Sequence, residues 1–154
     1  MQLMLSKGAL TMNINIASIY HEAKSKYAYM FDKETVHIRI RTEKDNVDKV
    51  SIVYGDPFNW GPKDNEQWVW RNENNSQLYM KKEYTTKYHD YYFIAIKPTY
   101  RRVKYIFVLE KGEEKLLYGC KSVENLNTHP EKEKLALSSP LYNGFCLIQM
   151  KRLS

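Results

Sequence analysis

Strict alternation of apolar and polar residues in one short segment constrains the fold of this chain more than any other feature. Residues 35–41 read Thr-Val-His-Ile-Arg-Ile-Arg, so that every second residue is a β-branched aliphatic. Successive side chains of a strand point to opposite faces, whereas those of a helix repeat every 3.6 residues. The segment therefore predicts a half-buried strand with Val36, Ile38 and Ile40 pointing inward.

The same period of two recurs along the chain. Residues 50–54 and 102–109 alternate in the same way, residues 13–16 predict a first strand, and residues 110–113 predict a hairpin turn. Short strands separated by turns at such spacing are typical of an all-β, antiparallel, immunoglobulin-like β-sandwich. The residues predicted to face inward are Val36, Ile38, Ile40, Val50, Ile52, Val103, Tyr105 and Phe107.

Length and charge exclude several classes of protein. The 154 residues suit one domain, whereas a TIM barrel needs about 250 residues. The net charge of +6 is spread along the chain, without the long basic run typical of a nucleic-acid partner. Nothing approaches the roughly 18 consecutive apolar residues of a membrane span. We therefore expect neither nucleic acid nor a membrane as the partner.

The cysteines and the other reactive residues predict no metal, no cofactor and no catalytic set. Cys120 and Cys146 have no zinc-site spacing, and no secretory signal precedes them, which predicts free thiols in a cytoplasmic protein. The histidines are isolated, and no nucleophile or nucleotide motif occurs. We therefore expect the chain alone not to be an enzyme.

The sharpest candidate site is the loop that interrupts the strand at residues 53–60, Val-Tyr-Gly-Asp-Pro-Phe-Asn-Trp. Asp56 is expected to anchor the loop through hydrogen bonds to nearby backbone. Phe58 and Trp60 place two large aromatic rings in a polar loop, where they could stack on the apolar face of a sugar. The alternative is that both rings fold back onto the sandwich.

Trp68 and Trp70 offer a second candidate surface. Because they are two residues apart in a predicted strand, they share one face. They could form an outward aromatic platform for a glucan or an inward pair in the core. The sequence leaves both alternatives open.

Several segments in order resemble one known family. They are residues 19–29 (Ile-Tyr-His-Glu-Ala-Lys-Ser-Lys-Tyr-Ala-Tyr), 33–41 and 53–60, continued by 91–93 and by 97–105 (Lys-Pro-Thr-Tyr-Arg-Arg-Val-Lys-Tyr). Together they resemble the N-terminal domain of bacterial cyclomaltodextrinases, neopullulanases and maltogenic amylases, carbohydrate-binding module family 34 of the α-amylase-family glycoside hydrolases. In that family the domain is a β-sandwich that precedes a catalytic barrel.

The resemblance implies a non-catalytic domain that binds α-glucans such as starch, maltodextrin, cyclodextrin or pullulan, and that takes part in homodimerisation. It implies that Phe58, where many relatives have Tyr, lies near the partner subunit's cleft. The implied organisation is an N-terminal extension at 1–12, the glucan-binding domain at 13–119, and a divergent tail at 120–154, foreign to the family or poorly ordered. The glucan-binding residues expected are Asp56, Phe58, Trp60, Trp68 and Trp70.

Two other interpretations stay open at this point. One is an inert truncated product. The other is a basic β-module that binds single-stranded nucleic acid by combining cations with stacking rings. The residues that would serve in that case are Tyr91, Tyr92, Tyr100, Arg101, Arg102, Lys104 and Tyr105.

Overall fold

The computed structural model describes residues 13–62, 68–71 and 78–150, so the extension expected at 1–12 lies outside these ranges. A 3₁₀ helix (Ile16–Ser18) begins the described chain, and one α-helix, α1 (Glu131–Ser138), lies near its end. The strands are β1 (Ala28–Met30), β2 (Val36–Glu43), β3 (Lys49–Gly55), β4 (Trp60–Pro62), β5 (Trp68–Trp70), β6 (Leu78–Tyr79), β7 (Lys81–Thr85), β8 (His89–Ile96), β9 (Arg102–Lys111), β10 (Glu114–Tyr118), β11 (Val123–Asn125) and β12 (Cys146–Gln149).

The strands form two main antiparallel sheets. One sheet has the order β1-β2-β8-β7, and the other has the order β11-β10-β9-β3-β6, with β12 also paired to β9. Strands β4 and β5 form a separate pair at the end of β3. The predicted hairpin at 110–113 is confirmed, because Lys111 pairs with Glu114 and Gly112 takes the positive φ that the tight turn requires. The expectation of an antiparallel, immunoglobulin-like β-sandwich is confirmed.

The predicted core is also confirmed. All eight residues expected to face inward are 0% exposed and belong to the main cluster between the sheets. Burying one large apolar side chain of this kind stabilises the fold by about 1.5–3 kcal/mol. A smaller cluster lies on the opposite face of β3 and β9, where Val53, Ile106 and Val108 pack with residues from α1 and from the segment before β12. Strand β9 is therefore covered on both faces along part of its length.

The first strand expected at 13–16 is wrong. Ile14 is buried, but Ile16 is exposed and begins the 3₁₀ helix. The backbone carbonyl of Asn15 accepts a hydrogen bond from the Ser18 N–H at 3.1 Å, and its side-chain amide donates to Ser18 Oγ at 3.0 Å. Asn and Ser side chains that bond locally in this way compete with strand pairing.

The free thiols expected at Cys120 and Cys146 are also wrong, because the two residues form a disulfide. The two cysteines can come this close because residue 119 is a glycine. A Cβ added at Gly119 would overlap the Gly144 carbonyl oxygen. The bridge joins the turn after β10 to β12, and β11 and β12 extend the larger sheet beyond residue 119. The domain boundaries at 13–119 and 120–154 stay predictions.

No helix in the described ranges has the length and apolar character that crossing a membrane requires.

A buried carboxylate links stability to pH. Asp90 is 0% exposed, accepts hydrogen bonds from Thr85 Oγ1 at 2.6 Å and the Asp45 N–H at 2.8 Å, and lies 3.3 Å from Lys82 Nζ. Burial alone would raise the pKa of this carboxyl, but the hydrogen bonds and the lysine together lower it. Asp90 therefore stabilises the fold above its unfolded-state pKa, about 3.9. That contribution is lost as pH falls through the folded-state pKa.

We expect Asp90→Asn to lower the free energy of unfolding by about 2 kcal/mol at pH 7, because hydrogen bonds to a charged acceptor are lost. The deficit should begin to shrink below about pH 4, where Asp90 becomes protonated in the unfolded state, and should vanish once pH falls below the lowered folded-state pKa. Urea unfolding of both proteins at pH 7, 5, 4 and 3 measures this difference. A deficit that stays constant over that range would contradict the role of the ionised carboxylate.

Candidate functional site

Asp56 fixes the loop that follows β3. The residue is 3% exposed, and Oδ1 accepts a hydrogen bond from the Phe58 N–H at 2.7 Å. Its backbone carbonyl accepts from the Asn59 N–H at 3.1 Å and from Trp70 Nε1 at 2.9 Å. The anchoring expected of Asp56 is thus present, and it holds the next residues in one geometry.

Phe58 stands out from this loop with 70% of its surface exposed. The Arg102 guanidinium lies over its ring, 4.3 Å from the centroid, and 3.8 Å from the Asp56 carboxylate. An exposed cation–π contact is worth about 0.5–1 kcal/mol, enough to favour one ring orientation. An aromatic ring has two faces, and because 70% of Phe58 is exposed, we expect a ligand to stack on the face away from Arg102.

Five residues line a small open hollow of about 210 Å³ around this ring, which we call the Phe58 hollow: Asp56, Phe58, Asn59, Tyr100 and Arg102. Tyr100 is 45% exposed and adds a phenol ring and hydroxyl. One apolar surface surrounded by several hydrogen-bonding groups suits a flat, hydroxyl-rich ligand. The hollow is smaller than the roughly 300 Å³ at which drug-sized pockets begin, which favours shallow contact with a short part of a longer ligand.

The three tryptophans take different places around the loop. Trp60 is half-buried, packs against the smaller cluster and donates from Nε1 to the Pro57 carbonyl at 3.1 Å. Trp70 is 4% exposed and packs edge-on against Phe145, with 5.7 Å between ring centroids. Trp68 lies in β5, but its side chain is outside the described residues.

The burial of Trp70 does not agree with an outward platform formed by Trp68 and Trp70. The buried Trp70 ring offers no face to a sugar, so the alternative of an inward ring fits this residue. Trp70 instead stabilises the loop, because its Nε1 donates a hydrogen bond to the Asp56 backbone carbonyl. Trp60 folds partly back onto the sandwich, which leaves Phe58 as the exposed ring of the loop. Direct contact of a glucan with Trp68 stays a prediction.

The hollow contains two residues that sequence reasoning did not assign to this site, Tyr100 and Arg102. They are distant in sequence and reach the loop because β3 pairs antiparallel with β9, with Gly55 opposite Lys104. The available signal was the similar alternation in residues 50–54 and 102–109, which makes both segments strands of the sandwich. The alternation does not fix the register, that is, which residue of β3 lies opposite which residue of β9.

The surface required for single-stranded nucleic acid is incomplete. Of the rings that this alternative requires, Tyr92 is 4% and Tyr105 0% exposed. Burial raises the pKa of Tyr92 to about 12. Because bases stack only on accessible rings, these two tyrosines lie outside any such surface.

A larger hollow lies between β1 and β12, with a volume of about 980 Å³, and shares no lining residue with the Phe58 hollow. Its one aromatic residue is Tyr29, which is half-buried. Its other lining residues are three cationic, two uncharged polar and three apolar ones, so it offers no fully exposed aromatic ring on which a sugar could stack. We therefore favour the smaller Phe58 hollow despite the greater volume here. The lining residues of this β1–β12 hollow are Lys24, Ser25, Lys26, Ala28, Tyr29, Met30, Arg39, Ile148 and Gln149.

Comparison with known proteins places this geometry in a family. The family model described as "Alpha amylase, N-terminal ig-like domain" matches residues 12–142. The chain belongs to this family. The matched residues correspond to the N-terminal ig-like part of its relatives.

Two curated relatives agree with the ig-like family assignment. A cyclomaltodextrinase of Geobacillus thermopakistaniensis (strain MAS1) is 37% identical over 101 residues, which cover 66% of this chain and 16% of the relative. An intracellular maltogenic amylase of Bacillus subtilis (strain 168) is 34% identical over 107 residues, covering 70% of this chain and 17% of the relative. The chain thus spans 16% to 17% of the length of these relatives.

A solved structure supports the fold of this ig-like domain. A cyclomaltodextrinase structure matches with a TM-score of 0.65 and 24% sequence identity, over 89% of this chain and 20% of that chain. At this identity the match shows the fold.

Proposed function

We propose that this ig-like domain binds α-glucans such as starch fragments, maltodextrin, cyclodextrin or pullulan, without hydrolysing them, through the Phe58 hollow. The observation that carries the proposal is the Phe58 ring, which is 70% exposed and held by Arg102 above the anchored loop. The names of the relatives, cyclomaltodextrinase and maltogenic amylase, support this class of ligand.

The contacts follow from the chemistry of a glucose unit. Its C–H face is apolar and stacks on the open face of Phe58, while its hydroxyls bond to groups at the rim. Asn59, Tyr100 and Arg102 supply an amide, a hydroxyl and a guanidinium there. With one exposed ring and a shallow hollow, we expect a Kd of about 1 mM, equivalent to ~4 kcal/mol.

A matched pair of variants tests this site. Phe58→Ala should weaken binding of a linear maltooligosaccharide about tenfold, a loss of about 1.4 kcal/mol, because the stacking ring is removed. Phe31→Ala is the control, since Phe31 is also an exposed phenylalanine, 62% against 70%, and lies outside the Phe58 hollow. Calorimetric or NMR titration measures both affinities.

Equal affinities of the parent, Phe58→Ala and Phe31→Ala would contradict the proposed site. So would a parent protein that binds no maltooligosaccharide at tens of millimolar.

Added salt should leave the affinity unchanged because the ligand is uncharged, whereas binding of a phosphate backbone would weaken steeply.

We extend the proposal to assembly between two copies of this chain, with the Phe58 loop at the contact between them. The exposure of Phe58 supports this role, as does the resemblance to homodimeric enzymes of the family. Sedimentation velocity over a range of concentrations should show self-association that Phe58→Ala weakens. Dimerisation that is absent, or that the substitution leaves unchanged, would contradict the role of the loop.

We also propose that the chain resides in the cytoplasm. The Bacillus subtilis relative is named an intracellular maltogenic amylase, which supports this location. The disulfide opposes it, because such bonds persist mainly in oxidising compartments. Both observations are compatible if the bond is reduced in the cell. Acid quenching followed by thiol alkylation should then find two free cysteines per chain.

A further inference from the structure

Three residues that lie far apart in the sequence meet beside β12. His21 precedes β1, Cys120 follows β10 and Cys146 begins β12. One ligand atom from each, a ring nitrogen and two sulfurs, lies within 4.8 Å of the others. We propose that His21, Cys120 and Cys146 bind Zn²⁺ when the disulfide is reduced.

The hydrogen bonds of His21 orient its ring for this role. Nδ1 is 2.8 Å from the Arg39 carbonyl oxygen, and because a carbonyl only accepts, Nδ1 carries the proton. Nε2 therefore presents its lone pair, which now accepts from the Tyr105 hydroxyl at 2.9 Å. A histidine that ligates a metal commonly donates its other N–H to a backbone carbonyl, which fixes the tautomer and the direction of the ring.

The strand register places one sulfur on the side of Nε2. Cys146 lies directly opposite Tyr105 in the pairing of β12 with β9, so their side chains share a face of the sheet. Both residues belong to the main core cluster. The His21 ring and the Cys146 sulfur therefore lie close together, and the disulfide joins Cys120 to the same place.

Reduction of the disulfide frees the two sulfurs to act as metal ligands. A dithiol reductant gives two electrons and two protons to the S–S bond, yields the two cysteine thiols and becomes a disulfide itself. Zn²⁺ then displaces one proton from each thiol, and the two thiolates neutralise its charge. One imidazole and two thiolates are ligands that Zn²⁺ accepts, and a fourth position remains for water.

Solvent reaches these residues from one side. Cys120 is exposed, whereas Cys146 is buried. A hollow of about 480 Å³ is lined by both cysteines and by Lys24, Lys104 and Lys121. Nearby lysines favour thiolates over thiols. The hollow is thus a route for both reductant and ion, and the inference does not depend on the proposed glucan site.

Zinc titration of the reduced protein tests the site. The chain is reduced with a phosphine under anaerobic conditions, freed of reductant, and titrated with Zn²⁺ against a chromophoric chelator. We expect one Zn²⁺ per reduced chain and none on the oxidised chain. His21→Asn and Cys120→Ser should each weaken binding at least about tenfold, since even partners of a ligand contribute that much. His129→Asn is the control, because His129 is exposed on the surface.

A second measurement needs no variant. Zn²⁺ should shift the imidazole ¹⁵N resonances of His21 in the reduced parent chain and leave those of His129 in place. A reduced chain that binds no Zn²⁺ would overturn the inference. So would Zn²⁺ binding that leaves the His21 resonances unmoved, or binding that is equally strong in the oxidised chain.

Discussion

Trp70→Ala is expected to lower the free energy of unfolding by about 4 kcal/mol, the cost of truncating a buried tryptophan. The indole is 4% exposed, packs edge-on against Phe145 and donates to the Asp56 carbonyl at 2.9 Å. Removing it leaves a cavity in the smaller cluster and takes away one of the two hydrogen bonds to the Asp56 carbonyl, which keeps the bond from the Asn59 N–H. For a domain of this size the loss corresponds to roughly 10 °C in Tm.

Urea and thermal unfolding of the variant measure this effect, and Trp60→Ala is the matched control. Trp60 is only half-buried, so its loss should cost about 1–2 kcal/mol less. Trp70→Ala should also weaken glucan binding, because the Asp56 anchor shifts. A Trp70→Ala protein within about 1 kcal/mol of the parent would contradict the place of this ring in the core.

Reduction of the disulfide is expected to lower the free energy of unfolding by about 3.5 kcal/mol. Cys120 and Cys146 are 26 residues apart in sequence, and opening a loop of that length restores chain entropy to the unfolded state. The reduced segment also loses the covalent link between β12 and the turn after β10.

Unfolding should be measured with and without a phosphine reductant, and with a chelator present so that bound metal does not restore stability. A Cys120→Ala/Cys146→Ala protein is the control, since its midpoint should not respond to the reductant. An unchanged midpoint of the parent chain on reduction would contradict a stabilising role for the bond.

The main core was predictable from the sequence because alternation is a local property. Val36, Ile38 and Ile40 alternate with polar residues, and all three are 0% exposed. The second face of β9 was not predictable in the same way. Ile106 and Val108 are buried by α1 and the segment before β12, which are distant in the sequence.

In the candidate site, too, the features set by a local pattern were predictable, and those set by contacts between distant segments were not. The loop and its ring, Asp56 and Phe58, could be found from the run Gly-Asp-Pro-Phe-Asn-Trp. The contribution of Arg102 depends on the register of β3 with β9, which no local pattern fixes. The disulfide likewise depends on the close approach of Gly119 to Gly144 in space.

The central claim, that the Phe58 hollow binds α-glucan, is tested most directly by an NMR titration. The ¹⁵N-labelled chain is titrated with a linear maltooligosaccharide, and the shift of every backbone amide is followed. We expect the largest shifts at residues 56–60 and 100–102, and Phe58→Ala should reduce them. Shifts confined to the β1–β12 hollow, or no shifts at tens of millimolar sugar, would contradict this claim.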